Sequence, residues 1–182
     1  MNHFSCYDRK LVAMTIRPWF VVFAPLLVIS CGHSGSESTA VTSVVVKVQP
    51  NGASAALPPA RGTPRLSVDK IGDVADPLGK PPVVISAEGD IVVTGFAIDE
   101  PAHSVASGVD IVIDELPFTA HYHLDRPDVA TFFKVPDYAK SGYQFTLPAK
   151  FFGKGKHTLA ARVVSGDGKT YRESPPFTID IQ

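Results

Sequence analysis

His121 and His123 are the residues of this chain whose spacing best suits a metal ion, because two residues apart on a strand their imidazoles share one face. Two imidazoles supply only part of a zinc site, which takes three or four ligands, so Asp125 or His103 would have to complete the set. The plainer alternative is a pair of solvated side chains on an outward face. Arg126 and Asp128 flank Pro127, a spacing that suits an ion pair or backbone anchoring at a stiff corner better than ligand binding. Asp99-Glu100 and Asp114-Glu115 are acidic pairs at strand ends. General acid–base chemistry needs such groups to converge with shifted proton affinities, so these are expected to be solvated turn carboxylates. No serine nucleophile elbow, phosphate-cradling glycine motif or Cys/His pair occurs after residue 31. The expectation is a non-catalytic protein with no cofactor.

The elements that must position these residues are strands. From Arg65 onward, short period-2 segments alternate with turn residues, the pattern of a sandwich or barrel. Ile91 to Ile98 is apolar on both sides, which predicts a central strand covered on both faces. Val109, Ile111 and Ile113 alternate with Asp110, Val112 and Asp114, predicting a strand with one mainly wet face. Tyr143, Phe145 and Leu147, then Leu159, Ala161 and Val163, then Phe177, Ile179 and Ile181 are the other inward sets. Leu66–Ile71, Pro82–Ser86 and Phe118–Leu124 bring the number to about eight. Glu88-Gly89-Asp90, Gly153-Lys154-Gly155 and Gly166-Asp167-Gly168 supply tight turns. Asp128 after Pro127 can cap one short helical turn over Asp128–Phe133. The fold expected is all-β, a sandwich with one helical turn, over residues 65–182.

Upstream of that domain the chemistry lies in Cys31. Arg9, Lys10 and Arg17 precede an uncharged apolar run from Trp19 to Ile29, the order of a secretory signal; Met14 is an alternative start to Met1. Eleven helical residues span only ~16 Å of the ~30 Å hydrocarbon core, and Pro25 interrupts them, so a permanent transmembrane anchor is the weaker reading. Val28-Ile29-Ser30-Cys31-Gly32 resembles the lipobox of bacterial lipoproteins. That resemblance implies cleavage of the signal 1–30 and acylation of Cys31 with chains enough to anchor the protein stably in a membrane. Gly32 is not the aspartate that retains members of that family in the inner membrane, which implies the outer membrane, on its periplasmic or surface side. Residues 31–64 are then the lipidated cysteine and a tether rich in Ser, Thr, Ala, Gly and Pro, with one β-prone stretch, Thr42–Val48. Cys6 and Cys31 are the two cysteines, so the domain holds no disulfide even though exported domains often depend on one.

Thr94-Gly95-Phe96-Ala97-Ile98-Asp99, Gly108 to Asp114, Arg126-Pro127-Asp128-Val129-Ala130, Ser141-Gly142-Tyr143-Gln144-Phe145 and Gly155-Lys156-His157-Thr158-Leu159 together resemble a bacterial immunoglobulin-like module. Its blocks usually read GWAxD, RPDVAxxF and SGFxFxL; here Phe96 takes the place of the Trp. The resemblance implies an immunoglobulin-like β-sandwich of the cell envelope and brings no catalytic residues with it.

A formal net charge of −1 and the absence of like-charge blocks leave no footprint for nucleic acid. The partners expected are the membrane, through lipid on Cys31, and an unknown envelope protein contacted through a sheet face or edge. A glycan is the alternative, although the chain's single Trp lies in the signal, so Tyr138, Tyr143 and Tyr171 would have to supply the stacking faces. A hydrolase with an unrecognised site comes third.

Overall fold

A computed structural model describes residues 49–77 and 79–182. The signal expected over residues 1–30, Cys31 and the β-prone Thr42–Val48 stretch lie outside those residues. No helix among the described residues is long and apolar enough to cross a membrane.

Among the described residues there are twelve strands, several of them very short: β1 (Arg65–Ile71), β2 (Val74–Ala75), β3 (Val83–Ile85), β4 (Asp90–Asp99), β5 (Ser104–Val105), β6 (Gly108–Ile113), β7 (Leu116–Thr119), β8 (His121–Leu124), β9 (Gly142–Pro148), β10 (Gly155–Val164), β11 (Tyr171–Glu173) and β12 (Phe177–Ile181). One sheet runs β2-β1-β4-β9-β8, with β5 on β4. The other runs β3-β12-β10-β6-β7, with β11 on β10. All pairs are antiparallel except β3 with β12. The order β1-β4-β9-β8 facing β12-β10-β6 is the ABED and GFC arrangement of an immunoglobulin-type sandwich. The fold is therefore an all-β sandwich, as the alternation predicts.

The core lies where the two inner faces meet. Val68, Ile71, Ile91, Val93, Ala97, Tyr143 and Phe145 from the first sheet pack on Val109, Ile111, Ile113, Leu159, Ala161, Ile179 and Ile181 from the second. Phe118 and Phe145 bring their rings within 6.3 Å across it. β4 is central, flanked by β1 and β9, and its outward residues Val92, Thr94 and Phe96 are half-buried.

Three expectations need correction. The stretch Phe118–Leu124 is two strands: β7 pairs with β6 in the second sheet, and after Ala120 the chain crosses to pair β8 with β9 in the first. Hydrophobic alternation cannot show this, because the side-chain period continues through the crossing.

The outer face of β6 is not wet, since Asp110 is fully buried and Val112 nearly so. The cause is the third correction, at the domain boundary expected at Arg65. Residues 51–64 are docked on the sandwich. The Gly52 amide donates to the Pro117 carbonyl, and the amides of Ala53 and Ser54 donate to the Asp110 carboxylate at 3.0 and 2.7 Å. Asn51 Oδ1 accepts the Thr119 amide, Pro59 bridges to Tyr171, and Arg172 Nε donates to the Arg61 carbonyl. Composition marked this stretch as unable to build a core, yet it needs only backbone groups and small side chains to cover one.

Candidate functional site

The helix α1 (Pro127–Phe133) and the 3-10 turn Pro136–Lys140 lie outside the sandwich, against the outer face of the first sheet. Proline at the first helical position suits the start, and Lys134 at φ 56° ends the helix. The helix begins one residue before Asp128, so Asp128 is not its cap; no side chain caps it. Beneath α1, Ile98, Val129 and Tyr138 form a second small core with Phe96, Ala130, Phe133 and Val135 around it.

Arg126 ties the corner together. Its Nε and Nη2 donate to the two carboxylate oxygens of Asp128 at 2.9 and 2.7 Å, while Nη1 donates to Asp69 Oδ2 at 2.7 Å. The forked hydrogen bond holds the Asp128 carboxyl at about 2, well below its ordinary value, and raises the guanidinium further. The guanidinium also lies 5.4 Å from the Phe96 ring centre. Gly142 makes room beneath it, because a Cβ there would stand 2.9 Å from Arg126 Cγ. The ion pair that the Arg126/Asp128 spacing suggested is thus present and reaches a third partner on β1. The blocks containing Phe96, Arg126 and Gly142 meet at this one place.

Beside this corner runs an open groove of about 500 Å³ lined by Arg65, Leu66, Ser67, Phe96, Phe132 and Phe133, among others. Phe133 packs edge-on against Phe96 with ring centres 6.1 Å apart, and Arg65 sits 5.1 Å above the Phe133 ring. Phe132 is 76% exposed, the most exposed large apolar residue among those described, and its ring stands 5.0 Å from that of Phe133. One wall of the groove is β1. Over Arg65–Val68 no strand among the described residues pairs with the side of β1 facing away from β4, since β2 reaches only Lys70 and Ile71. The groove therefore combines aromatic surface with an open strand edge.

Sequence reasoning did not assign Phe96, Phe132 and Phe133 to a site. A signal was available: adjacent residues on a helix cannot share a face, so Phe132 and Phe133 cannot both be covered by the same sheet.

The other residues singled out by sequence are scattered. His121 and His123 are both exposed on β8. His123 occupies a bulge, with φ 66° and a register shift between Tyr122 and Leu124, so the shared-face geometry of a regular strand is interrupted. No group of three or more His, Cys, Asp or Glu suited to a metal occurs among the described residues. Tyr138 and Tyr143 are buried, and Tyr171 lies beneath Arg162 with 4.5 Å between guanidinium and ring centre; the first two offer no stacking face.

Two of the acidic residues expected to be solvated are structural. Asp99 is buried, accepts the Gly166 amide at 2.8 Å and faces Arg172 Nη1 at 3.6 Å. Asp114 bonds His157 Nδ1 at 2.6 Å and accepts the Thr158 amide at 3.0 Å. Burial raises its pKa, but these hydrogen bonds outweigh that and lower it.

No protein-family model and no curated protein matches the sequence. Among solved structures, an endo-β-1,4-mannanase from Thermotoga petrophila superposes on 68% of this chain with a TM-score of 0.41 and 10% identity. The chain spans 20% of that enzyme's length.

Proposed function

We propose that this protein is a non-catalytic binding module of the bacterial cell envelope, tethered by lipid on Cys31, that takes an extended segment of a protein partner along β1. The observation that carries this reading is the groove of Phe96, Phe132 and Phe133 beside the edge at Arg65–Val68, which no strand among the described residues pairs. An added strand would satisfy the open main-chain groups, and its alternate side chains would fall toward the aromatic floor. Large exposed aromatic rings in a preformed groove are the usual anchors of such contacts. The anchor itself rests on the lipobox-like Val28 to Gly32.

The test is site-specific photocrosslinking in intact cells, with a benzophenone residue at Phe132 and, as control, at Lys154 on the far loop. One discrete protein adduct from position 132 and none from 154 is expected. Equal adducts from both positions, or none from 132, overturn the reading.

A glycan is the second reading, favoured by the exposure of Phe132, whose flat face suits a sugar ring. Saturable binding of a purified cell-wall or surface polysaccharide that Phe132→Ala abolishes, together with no protein adduct, would select it.

A further inference from the structure

We infer that Asn51-Gly52 is a deamidation site, held back while residues 51–64 are docked on the sandwich, and that its isoaspartyl product keeps that segment from docking again. The pair is the one Asn-Gly step of the chain, and the fold fixes both of its residues. Gly52 runs so close to β7 that a Cβ would stand 2.5 Å from Pro117 Cβ and 2.8 Å from Asp110 Oδ2. Asn51 bonds Thr119 twice, its Oδ1 accepting the amide at 3.1 Å and its carbonyl accepting the hydroxyl at 2.9 Å. Close packing therefore demands, after this asparagine, the residue that shields its carboxamide least, because glycine has no side chain to hinder attack.

The reaction needs only water and hydroxide. Hydroxide takes the Gly52 amide proton, and the nitrogen attacks Asn51 Cγ. A new N–C bond forms as the Cγ–Nδ2 bond breaks, and the leaving nitrogen takes a proton from water and departs as ammonia. Water then opens the resulting succinimide at either carbonyl, giving aspartate or isoaspartate at position 51. No electrons are gained or lost.

Removal of the Gly52 amide proton is also the step that begins hydrogen exchange, and docking blocks it: that N–H donates to the Pro117 carbonyl at 3.0 Å while Thr119 holds the carboxamide. Reaction therefore proceeds through local opening of the segment. Isoaspartate reroutes the main chain through Cγ and lengthens it by a methylene, so the amides of Ala53 and Ser54 no longer fall on the Asp110 carboxylate. Aspartate keeps the native backbone and an oxygen for the Thr119 amide. The isoaspartyl form is thus a lasting release that opens Asp110, fully buried when the segment is docked, to water. None of this depends on what the aromatic groove binds.

The experiment incubates the chain from residue 31 with Cys31→Ser in mildly alkaline buffer, beside a synthetic peptide of residues 49–58, and follows position 51 by tandem mass spectrometry. The folded chain should deamidate at least about tenfold more slowly than the peptide, as protection by local structure implies. Asp110→Ala, which removes the carboxylate holding the segment, should speed the reaction at least about tenfold. Val93→Ala, in the core of the opposite sheet, should leave it unchanged. The purified isoaspartyl form should be cut by a nonspecific protease between residues 50 and 60 faster than the unmodified chain, and Asn51→Asp should not. Equal rates in folded chain and peptide overturn the inference. So does an Asp110→Ala rate equal to that of wild type or of Val93→Ala, or an isoaspartyl form cut no faster than Asn51→Asp.

Discussion

The Gly52 amide donates to the Pro117 carbonyl at 3.0 Å, and the two backbones approach so closely that a Cβ at position 52 would stand 2.5 Å from Pro117 Cβ. That contact lies thirteen residues before β1, in a stretch that composition reads as a linker. Immediately beyond it, the buried Asp110 carboxylate holds the next two amides. Asp110→Ala should lower stability by about 2 to 3 kcal/mol, because hydrogen bonds to a charged acceptor are lost and buried amides are left unpaired. Gly52→Val should loosen the same segment by steric clash. Urea unfolding of the mature chain reads the first effect, and faster cleavage by a nonspecific protease between residues 50 and 60 reads the second. An Asp110→Ala midpoint equal to wild type would remove the role given to this carboxylate.

Phe145 is 4% exposed and packs with Phe118 between the sheets. Phe145→Ala should cost on the order of 3 to 5 kcal/mol, the usual effect of emptying a large aromatic site in a close-packed interior. Residues 49–182 contain no cysteine, so reductant should leave the urea midpoint of wild type and variant unchanged. Both statements are checked in one titration with and without dithiothreitol.

Stability should fall at both ends of the pH scale for identifiable reasons. Asp128, held at about 2 by Arg126, stabilises the fold fully above its unfolded value of ~3.9, and that contribution is lost as pH falls through 2. Its carboxylate is largely exposed, so the loss is small; Asp114, also lowered, adds to it. At the alkaline end, burial raises Tyr122 to about 12, against the hydrogen bond from the Ala106 amide. Its contribution is fully present below ~10, the unfolded value, and disappears as pH rises through 12. Urea midpoints measured from pH 2 to 12 should show both limbs, with the acid limb shallower in Asp128→Asn.

Cys31→Ser should abolish acylation and leave an unprocessed or soluble form, because only a thiol at that position takes the lipid. Labelled palmitate followed into wild type and variant checks this. Equal incorporation in the two would remove the lipid anchor from the proposal.

The sequence determined by itself what depends on local pattern. Period-2 alternation over Tyr143–Leu147, Leu159–Val163 and Phe177–Ile181 prescribes strands, and the turn glycines punctuate them. Arg126 and Asp128 are close enough in the chain for their ion pair to be read directly. Tertiary structure alone decided whatever depends on residues far apart in the chain. Asp110 looks like a wet-face residue until residues 51–57 lie over it, and those residues resemble a tether because backbone amides that seek a distant carboxylate leave no mark on composition. Ala120 carries no sign that the chain changes sheets there, since the alternation is the same on either side. The groove needs Arg65, Phe96 and Phe133 brought together from β1, β4 and α1, and Phe132 stands exposed only because its neighbour takes the place against the sheet.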